Sequence, residues 1–99
     1  MTDSILTDNY DVCFLCGSYI WIERHHIYGA ANRKISDKYG LWVPLCHYCH
    51  NEPPIGVHHN AERDETLKRT AQIMFERTHT HDEFMKLIGK NYLDDDENS

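Results

Sequence analysis

The chain has 99 residues and a mass of 11.7 kDa, room for one domain near the lower end of what a single apolar core holds together. With 40% apolar and 26% charged residues and a mean hydropathy of −0.66, the composition is that of a soluble globular domain and excludes a disordered chain. The net charge of −6 argues against a polyanion as partner only if it is spread evenly, and it is not.

Residues 1–12 are an acidic, polar lead-in with Asp3, Asp8 and Asp11 and no base. This start lacks the basic-then-apolar order of a signal peptide, and no apolar run approaches the roughly 18 residues of a membrane span. A cytoplasmic location away from membranes is therefore expected, in which four cysteines favour metal ligation over disulfides. Tyr19-Ile20-Trp21-Ile22, aromatic and β-branched after Gly17-Ser18, predicts a strand ending near Arg24. Gly29 to Gly40 reads as a glycine-bounded loop carrying Arg33, Lys34 and Lys38. Leu41-Trp42-Val43 predicts a second strand stopped by Pro44, and Cys46–Glu52 a short helix ended by Pro53-Pro54. The segment Arg24–His50 carries a net +3, so a phosphate-binding surface in the middle of the chain stays open.

The remainder predicts a helical hairpin whose apolar stripes serve packing. Asn60 is the expected N-cap of a long helix with Leu67, Ala71, Met74 and Thr78 along one face, widened by Ile73 and Phe75. Thr80 and Glu83 form a capping-box pattern for a second helix, with Phe84, Leu87 and Ile88 inward and Gly89 as its stop. Residues 13–93 are expected to form the single domain, and residues 94–99 an acidic, disordered tail.

Two C-x2-C knuckles, Cys13–Cys16 and Cys46–Cys49, stand 29 residues apart. Each tight turn can point two thiolates at one tetrahedral zinc, and a small fold would lean on such a staple. Two disulfides or unpaired core cysteines are the alternatives. The chain also holds eight histidines. His25 and His26 directly follow the first strand, His50 directly follows Cys49, and His58 and His59 precede the long helix. Adjacent residues on an extended segment point to opposite sides, so one of His25 and His26 can bind a metal while the other faces a substrate.

His25-His26-Ile27 followed by Val43-Pro44-Leu45-Cys46-x-x-Cys49-His50 resembles the HNH endonuclease motif of the ββα-metal (His-Me finger) fold, in its zinc-containing branch where two knuckles bracket the catalytic hairpin. The likeness covers Cys13 to about Asn60. Gly56–Asn60 and Gly89–Leu93 look, more loosely, like small HNH-type proteins of phages and prophages. The resemblance implies a small α+β fold with a ββα-metal motif, a structural four-cysteine zinc and the helical hairpin behind. It implies a DNA endonuclease leaving 5′-phosphate and 3′-hydroxyl ends, encoded by a phage or prophage and working in a bacterial host cell. His26 matches the general base that deprotonates the attacking water, and His25 and His50 match ligands of one catalytic divalent ion. An imidazole with an ordinary pKa of ~6.5 suits that base, and magnesium, manganese, zinc or nickel would suit the ion.

Two positions depart from the family pattern. Its middle Asn corresponds to Leu41, with Asn32 nearby at the wrong spacing. Its last metal ligand corresponds to Pro54, so His58 or His59 must replace it, with His58 favoured. Arg33, Lys34 and Lys38 are expected to meet DNA phosphates, in a monomer or homodimer. The competing expectation is a non-catalytic zinc ribbon binding DNA or a protein, which needs the cysteines but not the histidines.

Overall fold

A computed structural model describes residues 2–93, and the expected acidic tail of residues 94–99 lies outside them. The chain is a small α+β unit: β1 (Ile22–His26), α1 (Arg33–Tyr39), β2 (Trp42–Cys46), α2 (His47–Asn51), α3 (Ala61–Phe75) and α4 (His81–Ile88). Short 3-10 turns at Ala30–Asn32 and Val57–His59 join them. β1 and β2 pair antiparallel, with Ile22 opposite Cys46 and His26 opposite Trp42. No helix among the described residues is long and apolar enough to cross a membrane.

The first strand starts later than expected. Trp21 sits at φ 55, in the left-handed region that breaks an extended run, and Tyr19, Ile20 and Trp21 are exposed. The second strand runs through Pro44 instead of stopping there. The Pro44 carbonyl accepts the Phe14 N–H at 2.8 Å, so the side of Pro44 that lacks an N–H faces away from β1 and no ladder bond is lost.

The expected loop at Gly29–Gly40 is largely the helix α1. Its inward side is Ile35, Ser36 and Tyr39; the buried Ser36 hydroxyl donates to the Tyr28 carbonyl at 2.7 Å and accepts the Tyr28 N–H at 3.0 Å. Gly40 ends the helix at φ 72, where a Cβ would collide with the carbonyl oxygen of Asp3. The acidic lead-in is thus fastened to β2: Trp42 Nε1 donates to the Thr2 carbonyl at 2.8 Å, and Ile5 N to the Gly40 carbonyl at 2.9 Å.

The core joins Leu41, Val43 and Leu45 to Leu67, Ala71, Phe75, Phe84 and Ile88 of the helices. Asn60 caps α3 by accepting the Arg63 N–H at 3.0 Å, and Thr80 and Glu83 form a complete capping box on α4. Of the expected α3 stripe, Leu67, Ala71 and Phe75 are buried, whereas Met74 is half-buried and Ile73 exposed. The helix ends at Phe75, so Thr78 lies beyond it, and Gln72 takes a buried place because its amide bonds Asn91 and the Tyr92 N–H, both at 2.7 Å. Tyr28 ties the two halves together, its ring 5.6 Å from that of Phe84 and its hydroxyl donating to the Lys68 carbonyl at 2.5 Å.

Candidate metal centre

The two knuckles converge. The Cys13 turn closes through Gly17 at φ 81, and Cys46 and Cys49 flank the start of α2. The four sulfurs lie within 4.8 Å of one another, and Cys16 and Cys46 approach to 3.6 Å as free thiols, not a disulfide. A tetrahedral zinc with Zn–S bonds of about 2.3 Å needs sulfurs about 3.8 Å apart, so the donor set fits that ion after small adjustments. Burial pushes the Cys13 thiol up, but N–H groups of Cys46, Cys16 and Leu15 outweigh it and bring it to about 7. Burial pushes Cys49 strongly the other way, so four thiolates persist together only around a cation.

A second cluster forms from β1, α2 and the Val57–His59 turn. Donor atoms of His25, His50 and His58 lie within 4.8 Å of one another, and Nε2 of His50 and His58 approach to 3.0 Å. His25, only 4% exposed, has a buried Nε2 without a hydrogen-bond partner. An orphaned imidazole nitrogen beside two others is a donor set that fits a divalent cation with imidazole ligands. Burial, then the neighbouring His50 and His58, hold the His25 pKa down to about 3, and burial lowers His58 as well. Both rings are thereby held towards the neutral form, the one that can offer a lone pair to a cation.

The local sequence explains this convergence. The chain doubles back after Pro53-Pro54, and Gly56 passes so close to Asn51 and Glu52 that a Cβ would collide with their backbone. This brings His58 into the cluster, while Pro54 and His59 stay exposed outside it. His26, alternating with His25 along β1, turns to another side and sets Nε2 3.3 Å from Asp37 Oδ1. Both histidines nevertheless line one open cleft, with lobes of about 420 and 290 Å³.

Of the basic residues, Arg33 lines the cleft beside Arg24, and Lys34 lines a neighbouring hollow with Arg33, His26 and Asp37. Lys38 instead lies over the Tyr39 ring, 5.5 Å from its centroid. Asn32 does not reach the histidines; its amide donates to the Ile88 carbonyl at the end of α4, at 3.1 Å. Leu41 is fully buried in the core and offers no polar group to the cleft.

Two acidic neighbours escaped the sequence reading. Glu23 Oε1 meets His50 Nδ1 at 2.7 Å, and its other oxygen meets His47 Nδ1 at 3.1 Å. The signal was present: Glu23 lies two residues before His25, on the same face of the strand. Asp37 gives no such signal, because it reaches His26 from α1, a segment whose flanking glycines read as a loop. No family model, curated protein or solved structure matches the chain, so what the site can do is read from its own geometry.

Proposed function

We propose that the chain is a metal-dependent endonuclease of the HNH type that hydrolyses DNA phosphodiesters, with the four cysteines holding a structural zinc. One observation carries this reading: three imidazoles converge on a common point while a fourth, His26, stands in the same cleft outside that cluster. A zinc ribbon needs neither feature.

In this reading His25, His50 and His58 hold a divalent ion. The chemistry such an ion supplies when bound is positive charge against the reacting phosphate and the departing 3′-oxygen. His26 does the proton work. Its Nε2 is turned to Asp37, leaving Nδ1 to take a proton from the attacking water, and the Asp37 carboxylate steadies the imidazolium that results. Arg24 and Arg33 at the cleft hold the substrate by its phosphates, a backbone-directed mode of binding.

The test is a metal count joined to plasmid nicking. The expected result is one tightly held zinc, a second divalent site lost on His25→Ala or His50→Ala, and nicking that follows occupancy of that second site. One zinc only, with no nicking under any divalent ion, would leave the ribbon module.

A further inference from the structure

The histidine cleft has a second wall that lies outside the motif. Its larger lobe runs past His25 and His58 to Asp64 and Lys68 on α3, and its smaller lobe reaches Arg24 and Arg33 on the other side. Lys68 Nζ pairs with Asp64 Oδ2 at 2.9 Å, with the two side chains 24% and 28% exposed. An i, i+4 pair of this kind usually decorates a solvated helix face. This one borders the cleft, and its helix is fixed there by the Tyr28 hydroxyl, which donates to the Lys68 carbonyl only three residues along the chain from His25. Asp64 is the one carboxylate among the described residues lining the two lobes.

Resting on the endonuclease reading above, we propose that Lys68 and Arg33 grip phosphates of the nucleic-acid strand on opposite sides of the scissile one, and that Asp64 holds Lys68 at the cleft until a phosphate takes its place. The chemistry is an exchange of anions at one ammonium. A phosphodiester offers Lys68 the same kind of charge-assisted contact that the Asp64 carboxylate gives it, so engagement replaces one ion pair by another. The long helix of the C-terminal half is then half of the substrate cleft, besides packing the core. Lys68 binds and positions the strand; it takes no part in the proton transfers assigned to His26.

The test uses the full chain, a labelled DNA duplex with the protein free of divalent ion at the histidines, and plasmid nicking with manganese. Lys68→Gln is expected to weaken duplex binding roughly three- to tenfold at low salt. It should also flatten the dependence of log affinity on log salt by about one phosphate contact. In cleavage the loss should fall on KM more than on kcat. Lys68→Arg should restore the slope, and Asp64→Asn should tighten binding by freeing Lys68; these two variants decide the matter if Lys68→Gln fails to fold. A wild-type slope and KM in Lys68→Gln would overturn the assignment while leaving the nuclease intact. Loss of metal in Asp64→Asn would also overturn it, making Asp64 a ligand. A wild type that neither binds duplex nor nicks plasmid would instead remove the endonuclease reading itself.

Discussion

Glu23 Oε1 lies 2.7 Å from Nδ1 of His50, and the same oxygen accepts from the Asn51 side-chain amide at 3.1 Å. This contact fixes the ring so that Nε2, not Nδ1, faces His58. The hydrogen bond to His50 holds the Glu23 carboxyl below its usual range, helped by His47, so it is ionised at neutral pH. A carboxylate behind a metal-binding imidazole orients it and raises its basicity. Glu23→Ala is expected to weaken divalent-ion binding at the histidines by about 10- to 100-fold. Calorimetric titration of the zinc-loaded protein checks this, and an unchanged affinity would leave His50 oriented by its backbone alone.

Cys49→Ser should release the cysteine-bound metal and unfold the domain, since zinc contributes on the order of 10 kcal/mol to folds of this kind. The thiol is buried, and burial opposes its ionisation, so it serves as a thiolate only beside a cation. Native circular dichroism with an unchanged cooperative melt would show that the sulfurs do not form a structural metal site.

His58 and His59 are adjacent, but only His58 belongs to the cluster. His58→Ala should lower metal affinity and be partly rescued by excess ion, whereas His59→Ala should stay close to wild type. Metal titration of the pair of variants ranks them, and the reverse order would transfer the ligand role.

The convergence of these cysteines and histidines was legible in the sequence because they come in short, rigid settings. Two knuckles, a histidine beside a knuckle and a histidine pair at a strand end fix their side chains within a few residues. Proline at 54 excluded one position, and glycine at 56 marked the reversal that carries His58. What escaped depends on packing between distant segments. Arg33–Tyr39 has a glycine at each end of its neighbourhood, and its helix is held by packing of Ile35 and Tyr39 and by the buried Ser36 bonded to Tyr28. Asp37 and Asn32 therefore acquired their partners unforeseen. Gln72 likewise reads as a polar break in the α3 stripe until Asn91 and Tyr92 fold back upon it.

Asp37 should matter to turnover through His26 alone. Asp37→Ala is expected to lower kcat by roughly 10- to 100-fold, the scale of a misplaced catalytic group, with metal content unchanged. Asp37→Glu should recover part of the loss. Equal kcat in wild type and Asp37→Ala, measured at saturating plasmid, would reduce the 3.3 Å contact to a surface ion pair.

The most direct measurement is plasmid nicking by His26→Ala, with metal content and DNA binding determined on the same preparation. His26 stands outside the group formed by His25, His50 and His58, so its removal is expected to leave those three in place. The variant is expected to fold, to keep both metals and to bind DNA, yet to lose cleavage by at least ~10²–10⁴-fold. His25→Ala and His50→Ala should lose metal and activity together, dividing the histidines into two classes. A His26→Ala protein that nicks at the wild-type rate would contradict the mechanism, whatever its metal content.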